Sequence, residues 1–262
     1  MRRRAFRALP FPILRSDVRD VIYATWLVPA ERMRPILPEG VELVERGGLT
    51  PFTVLTYRHG HFGPLMLGPL RSLLPSPLQS NWRLYVSRIG GVPTDEATVL
   101  FIRNLFDSAL YAAGTRLFSD ALPSHLPARF AFDENGGRRE ILIDGGNGSA
   151  PSMRLSTADA TDPDCPAGFA GWFGGIEPAL RLICLQDAAI SALPDDDRRI
   201  AHARIRLPVD LARVRWLAVR DYAPGALLRA FAGEAQPWCF RVPDVRFDVL
   251  GEHLIDLPPA TS

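Results

Sequence analysis

The chain has 262 residues and a formal net charge of +1, and all 30 of its basic residues are arginine. A near-neutral chain has no overall field that favours nucleic acid or an anionic membrane, and we expect neither as a partner. The lack of lysine excludes chemistry that needs a side-chain amine, because arginine stays protonated. The three cysteines, Cys165, Cys184 and Cys239, have no paired spacing, which is typical of reduced thiols in the cytoplasm.

Hydrophobic runs between frequent turn signals predict a β-rich chain. The predicted strands cover residues 21–28, 41–44, 50–57, 81–87, 98–106, 129–132, 140–143, 152–156, 181–185, 201–207 and 242–250. The predicted helices cover residues 29–37, 108–118 and 208–214. Asp107 is the candidate N-cap of the second helix, and the strands at 41–44 and 50–57 should form a hairpin around Gly47-Gly48.

Many strands with few helices argue against a doubly wound α/β fold. We therefore expect a single β-rich α+β domain at residues 19–255, preceded by a basic N-terminal arm at residues 1–18. Neither a metal nor an organic cofactor is expected from the motifs, and self-association stays open.

Four polar side chains alternate along one predicted strand and its approach: Gln79, Asn81, Arg83 and Tyr85. Side chains two residues apart in a strand share a face. That face is either solvated, or it lines a cavity inside a closed sheet. In a cavity, Arg83 would pair with a substrate carboxylate that Gln79 and Asn81 orient.

Two further motifs contain histidine. Ser124-His125 joins a hydroxyl and an imidazole, a combination used in nucleophilic catalysis, although adjacent residues rarely face each other and a capping serine in a loop is the alternative. His59-Gly60-His61 would place two imidazoles on one strand face, as a metallohydrolase requires. A third ligand is not evident nearby, and a solvated strand end is the alternative for this motif.

Several segments resemble the YqjF-like uncharacterised conserved family. The resemblance is carried by Trp26-Leu27-Val28-Pro29, by residues 33–43, by Asn81-Trp82-Arg83-Leu84-Tyr85-Val86, and by residues 114–129. That family is similar in fold to acetoacetate decarboxylase. The resemblance implies a barrel-type sheet with few helices and a pocket inside it, which favours the cavity interpretation of the polar strand face.

The same resemblance implies that the decarboxylase mechanism is lost. The Schiff-base lysine of the decarboxylase follows a Gly-Phe-Pro motif, and the matching segment here places Ser124 and His125 after Leu122-Pro123. Gln79 stands where the relatives carry a carboxylate. We therefore expect a small carboxylate or carbonyl compound as ligand, with His125 as general acid–base and Ser124 and Tyr85 as hydrogen-bond donors. A non-catalytic ligand-binding or accessory protein is the alternative, so enzymatic activity stays open.

Overall fold

The computed structural model describes residues 12–122 and 124–258. Residues 1–11 of the predicted basic arm, and Pro123 of the segment matched to the decarboxylase, lie outside the described residues. The first strand begins at Leu14, inside the range predicted for the arm. Among the described helices, none is both long enough and apolar enough to cross a membrane.

Fourteen strands of the described chain join one continuous sheet. They are β1 (Leu14–Pro29), β2 (Val41–Leu43), β3 (Leu49–Arg58), β4 (Gly63–Pro64), β5 (Leu78–Ile89), β6 (Val92–Phe106), β7 (Ser124–His125), β8 (Arg129–Asn135), β9 (Arg138–Asp144), β10 (Met153–Ala160), β11 (Ala188–Leu193), β12 (Asp196–Arg206), β13 (Arg215–Pro224) and β14 (Trp238–Asp256). The α-helices are α1 (Ala30–Met33), α2 (Ala109–Phe118), α3 (Phe169–Phe173), α4 (Ile176–Cys184) and α5 (Ala226–Ala232), and 3-10 helices cover Arg34–Ile36, Leu65–Leu73 and Leu211–Arg213.

Seven of these strands follow one another round a partial ring, in the order β1, β3, β5, β6, β11, β12 and β14. Antiparallel pairing between β14 and β1 closes the ring, and it extends from Leu14 opposite Val249 to Thr25 opposite Trp238. The weakest link is the parallel pairing of β6 with β11, which covers only residues 98–100 of β6. Strands β13, β10, β9 and β8 continue the sheet away from β14. The predicted β-rich α+β fold with a barrel-type sheet is confirmed.

Both faces of the ring are buried. On one face Trp26, Phe52 and Trp82 belong to a core that includes side chains of α1 and α5. On the other face Tyr23 and Phe240 belong to a core that includes side chains of α3 and α4. Strand β5 contributes side chains to both cores, so its polar face is shielded from water by packed helices.

The predicted hairpin of residues 41–44 and 50–57 is wrong. Strand β2 pairs antiparallel with β5, with Val41 opposite Ile89, and Gly47-Gly48 instead closes a single bridge from Arg46 to Leu49. Strand β5 is long enough to pair with both β3 and β2 along one edge. Strand β3 pairs with β5 only as far as Leu84, and β2 occupies the remaining length of the same edge.

The predicted strand at residues 181–185 is also wrong, because these residues end helix α4. Its buried side chains have helical spacing: Ala179, Leu180, Ile183 and Cys184. On the exposed face Glu177 and Arg181 form an ion pair one turn apart. The helix predicted at 208–214 is reduced to the 3-10 turn Leu211–Arg213.

Helix α2 is present, but Asp107 does not cap it. The α2 N-cap position is Ser108, and its side chain makes no capping hydrogen bond. The Asp107 carboxylate instead accepts from the backbone N–H of Leu78 at 3.0 Å. Asp107 therefore ties the start of β5 to the end of β6.

Candidate functional site

An opening in the sheet lies beside β6. One edge of β6 pairs with β5, while the other edge is shared by two short parallel partners. Strand β11 pairs with residues 98–100 and β7 pairs with residues 104–105, so residues 101–103 have no described strand neighbour on that edge. A pocket of about 450 Å³ is located at this opening, which is a size typical of small-molecule sites. Its described lining consists of Phe101, Ile102, Arg103, Arg116, Ser124, His125, Ser149, Ala192 and Pro194.

Two arginines give the pocket positive charge. The Arg103 Nη1 donates to the carbonyl of Ile102 at 2.8 Å, and its Nε is buried without a hydrogen-bond partner among the described residues. Burial lowers the pKa of Arg103, but a guanidinium still stays protonated at neutral pH. Arg116 donates from Nε to the carbonyl of Ser124. Neither guanidinium forms an ion pair with a described carboxylate, and the described lining contains no aspartate or glutamate.

The two predicted catalytic residues, Ser124 and His125, both line this pocket. The His125 Nδ1 lies 2.7 Å from the hydroxyl oxygen of Ser149, which fixes the orientation of the ring. The buried Ser124 hydroxyl donates to the carbonyl of Leu122 and accepts from Thr115 at 2.8 Å. The hydroxyl proton of Ser124 is therefore already engaged by a backbone carbonyl.

Two of the predicted polar residues, Gln79 and Asn81, lie in a buried network beside the pocket. The amide nitrogens of Gln79 and Asn81 both donate to the Asn104 Oδ1, at 3.3 and 2.5 Å. Asn104 stands opposite Asn81 on β5 and opposite Ser124 on β7, so one row of the sheet joins the network to the pocket. Asn81 Oδ1 and Asn104 Nδ2 are buried without partners among the described residues.

Arg83 and Tyr85 lie farther along the same strand face, against the end of helix α4. The Arg83 Nη2 donates to the carbonyl of Ile183 at 2.6 Å, and its guanidinium lies 5.8 Å from the ring centre of Tyr23 and 5.6 Å from that of Tyr85. The Tyr85 hydroxyl donates to Thr53 Oγ1 at 2.8 Å. None of Gln79, Asn81, Arg83 or Tyr85 is part of the described pocket lining. The structure therefore separates them from Ser124 and His125, and their ligand-binding roles stay predictions.

The two imidazoles of His59-Gly60-His61 do not share a strand face. Strand β3 ends at Arg58, His61 has a φ of 52° and is exposed, and His59 is buried. The His59 ring stacks on Phe62 and bridges Ser16 and Gln79 through Nδ1 and Nε2, at 2.8 and 2.6 Å. Burial lowers the pKa of His59 to about 4. Over the described residues, no cluster of three or more histidine, cysteine or acidic side chains could hold a metal ion.

The residues that give the pocket its charge were not predicted from the sequence. Arg103 is the one charged residue in the apolar stretch from Val99 to Phe106, which was a usable signal. Arg116 lies in helix α2, and arginine is common at exposed positions of helices in general. Ser149 lies in a turn rich in glycine. Nothing local distinguishes these two from surface residues, because their proximity depends on the tertiary fold.

Solved structures with this fold include several enzymes. MppR, described as an enduracididine biosynthesis enzyme, superposes with a TM-score of 0.60 at 14% identity, over 94% of this chain and 88% of that chain. An acetoacetate decarboxylase from Legionella pneumophila gives a TM-score of 0.58 at 12% identity, over 93% and 87% of the two chains. An acetoacetate decarboxylase-like enzyme from Sphingomonas wittichii RW1 gives 0.56 at 10% identity, over 95% of both chains. At these identities the likeness establishes the fold alone.

The sequence itself matches one family model. No curated protein matches the chain significantly. The model of the DUF2071 family, which is described as uncharacterised and conserved, matches residues 15–147. This range covers half of the chain and runs from β1 into the turn after β9, so it contains β6, α2 and β7. The predicted resemblance to an uncharacterised conserved family is confirmed. The chain belongs to the DUF2071 family, and its fold is that of acetoacetate decarboxylase-like proteins.

Proposed function

We propose that this protein binds a small organic anion of the carboxylate class in the pocket beside β6, without lysine chemistry. The observation that carries the proposal is the pair Arg103 and Arg116, two guanidinium groups that line one pocket and have no described counter-ion. Arg103 is partly buried, and a partly buried charge without an ion-pair partner is unfavourable, whereas Arg116 is exposed to solvent. A carboxylate in the pocket would bind both guanidinium groups through N–H···O bonds.

His125 would serve as the general acid–base group in this site. An imidazole can give or take a proton near neutral pH, and Ser149 holds this ring at the pocket wall. Ser124 would contribute its carbonyl, which holds the Arg116 guanidinium in place. The reaction would therefore be a proton transfer at a carboxylate or carbonyl compound, since the chain has no side-chain amine for a Schiff base.

The structural neighbours suggest which ligands to test first. MppR has been solved with pyruvate, a short 2-oxo acid, and acetoacetate decarboxylase takes its name from a 3-oxo acid. A pocket of about 450 Å³ holds either compound with room to spare. We therefore favour oxo acids of this size or somewhat larger as the ligand class.

Ligand-induced stabilisation tests the proposal. We expect pyruvate or acetoacetate to raise the unfolding temperature of the wild type, because a ligand at 100 times its Kd adds about 2.7 kcal/mol to the free energy of unfolding. Arg103→Met and Arg116→Met should each abolish the shift. Arg88→Met is the matched control, since Arg88 is exposed on β5, makes a loose ion pair with Glu42 at 3.8 Å and donates to the Gly91 carbonyl at 3.3 Å. An equal shift in the Arg103→Met, Arg116→Met double variant would refute the proposed site.

A non-catalytic ligand-binding protein is the second candidate function. It is favoured by the Ser124 hydroxyl, which is buried and donates to the Leu122 carbonyl rather than standing ready as a nucleophile. Turnover of the stabilising compound, followed by proton NMR, separates the two candidates. Turnover that disappears in His125→Gln while the thermal shift persists identifies an enzyme. A thermal shift without turnover in the wild type identifies a binding protein.

A further inference from the structure

Strand β8 is the last strand of the sheet, and one of its edges has no strand partner among the described residues. It pairs with β9 along its whole length, from Arg129 opposite Asp144 to Asn135 opposite Arg138. Exposed strand edges are usually protected by proline, lysine or a β-bulge. Strand β8 contains neither proline nor lysine and pairs with β9 without a bulge. Its outer edge is therefore suited to pairing with one more strand.

Every second residue of β8 directs its backbone groups to this outer edge: Phe130, Phe132 and Glu134. A two-residue turn joins β8 to β9, so the pair that closes the turn is hydrogen-bonded and the alternate residues point away from β9. The Phe132 carbonyl confirms this direction, because it accepts from Arg58 Nη2, at the end of β3, at 3.1 Å. A carbonyl has two lone pairs and can accept a second hydrogen bond. The N–H groups of the three residues donate to no other backbone group of the described chain, so the edge can form a further ladder.

The sequence of β8 is complementary to itself in an antiparallel arrangement. A two-fold axis at Ala131 would place Phe130 of each copy opposite Phe132 of the other, so that their outer-edge groups form the hydrogen-bonded pairs of an antiparallel ladder. Arg129 would stand opposite the partner's Asp133, and Asp133 opposite the partner's Arg129, at positions where side chains approach most closely. An axis at Phe130 or Phe132 would keep the hydrogen-bonding phase but would lose both pairs of opposite charge.

The two charged side chains of this arrangement, Arg129 and Asp133, are available for such contacts. Both are exposed, and neither forms an ion pair with another described residue. Asp133 stands directly opposite Glu140 on β9, and like charges opposite each other in a sheet are unfavourable. Arg138 pairs with Glu140 at 3.1 Å, which leaves Asp133 without a cation. The partner's Arg129 would supply that cation.

We infer that a second copy of this chain pairs with β8 in the two-fold arrangement about Ala131, so that two sheets become one. On the core side, Phe130 and Phe132 already pack against the core of their own chain, and the pairing adds aromatic cross-strand contacts between the copies. On the solvent side, two ion pairs form across the axis. Charges on an edge strand oppose the addition of most other strands. A second copy matches these charges residue by residue, which favours it over an unrelated peptide.

Sedimentation velocity of the full chain over a range of concentrations tests the inference. We expect a monomer–dimer equilibrium for the wild type. Arg129→Asp and Asp133→Arg should each raise the Kd of the dimer at least about tenfold, because each places two pairs of like charge across the axis. An equimolar mixture of the two variants should form a heterodimer, since every pair across its axis again joins opposite charges. Association in the mixture also shows that both variants are folded.

The matched control is Arg220→Asp, which should associate as the wild type does. Arg220 is exposed on β13, three strands away from β8 in the sheet, and forms no ion pair with a described residue. A wild type that stays monomeric at every accessible concentration would overturn the inference. A dimer that persists unchanged in both Arg129→Asp and Asp133→Arg would place the interface elsewhere and would also overturn it. Loss of the dimer in both variants without association in their mixture would refute the pairing about Ala131.

Discussion

Arg83 is a cation buried between aromatic rings. Only 3% of the residue is exposed, its Nε has no hydrogen-bond partner among the described residues, and its Nη2 donates to the carbonyl of Ile183 at the end of α4. The negative end of the helix dipole and the faces of Tyr23 and Tyr85 compensate part of the charge. Burying a cation with so little compensation costs free energy, so the free energy of unfolding should depend strongly on which side chain replaces Arg83.

We expect Arg83→Met to leave the free energy of unfolding within about 1 kcal/mol of the wild type, or to raise it. An unbranched apolar side chain fills similar space and removes the desolvation cost of the charge. Arg83→Ala should lower the free energy of unfolding by about 2–4 kcal/mol, because it leaves a cavity. Urea denaturation checks both values. If Arg83→Met were as destabilising as Arg83→Ala, the guanidinium itself would be a net stabilising group.

His59 makes stability depend on pH. Burial lowers its pKa to about 4 in the folded chain, against about 6.5 for an unfolded histidine. Between these values the unfolded state binds more protons than the folded state. The contribution of neutral His59 to the free energy of unfolding is therefore fully present above about pH 6.5, and it is lost as the pH drops towards about 4. The loss should approach roughly 3 kcal/mol at the lower end of this range.

Comparison with His59→Gln measures this contribution. The variant should be less stable than the wild type at neutral pH, but its free energy of unfolding should fall less steeply between about pH 6.5 and about pH 4.5. The exposed His61→Gln is the control and should keep the wild-type slope. Identical slopes for the wild type and His59→Gln would show that folding does not lower the pKa of His59.

At the level of the element, the turn between β9 and β10 carries the residue that orients His125. A Cβ atom placed on Gly145 would lie 1.9 Å from the Ala150 carbonyl oxygen. The two backbone segments of the turn therefore touch at Gly145, and this contact sets the position of Ser149. At Gly148, in the same turn, the nearest atom would be 3.5 Å away.

Gly145→Ala should lower the free energy of unfolding by about 1–3 kcal/mol, because the turn must open to admit the methyl group. It should also weaken ligand binding in the pocket, since Ser149 moves with the turn. Gly148→Ala should change both quantities little, as the space for its methyl group is ordinary van der Waals contact. Thermal unfolding with and without ligand measures both effects, and equal behaviour of the two variants would contradict this role of Gly145.

The elements that could be predicted are those whose local pattern agrees with their tertiary setting. The strand at 98–106 is apolar on both faces and is largely buried on both faces, and the helix at 108–118 has a helical apolar period. Residues 181–185 were misassigned because a short apolar run fits a strand as well as a buried helix turn. The partner of β2 depends on how far β3 extends along β5, which is a property of the whole sheet.

The candidate site was predictable only where a motif marked it. Ser124 and His125 were found through their place after α2, and both line the pocket. Arg103 and Arg116 were not found, although a lone charge in an apolar strand distinguishes Arg103 in the sequence. Whether a guanidinium is neutralised depends on residues brought together by folding.

At the scale of the whole molecule, a buried ion pair supports the closure of the ring. Arg15 on β1 holds the Asp248 carboxylate on β14 with two hydrogen bonds, at 2.7 and 2.9 Å, across 233 residues of sequence. The Asp248 side chain is only 2% exposed. The hydrogen bond from Arg15 holds the pKa of Asp248 below its usual value.

Arg15→Gln should lower the free energy of unfolding by about 2 kcal/mol, because the buried Asp248 carboxylate loses its close cation and keeps Arg206, at 3.9 Å, as its ion-pair partner. Contacts so distant in sequence are expected to form late in folding, so most of the change should appear as faster unfolding in stopped-flow measurements. Arg213→Gln is the control. Its pair with Asp244 also involves β14 but is about half exposed, so solvent screens it and the variant should lose less stability than Arg15→Gln. Equal losses of stability in Arg15→Gln and Arg213→Gln would show that the Arg15–Asp248 pair stabilises the protein no more than an exposed ion pair does.

The pocket beside β6 is encoded largely by one continuous stretch of the gene. Six of its described lining residues lie between Phe101 and His125, along the path from β6 through α2 to β7. The β1–β14 contacts that close the ring lie elsewhere in the chain. A cassette spanning codons 101–125 could therefore be exchanged among relatives to alter the chemistry of the pocket while the architecture stays the same. Divergence of this segment among relatives would change the ligand that the pocket binds, while the fold stays the same.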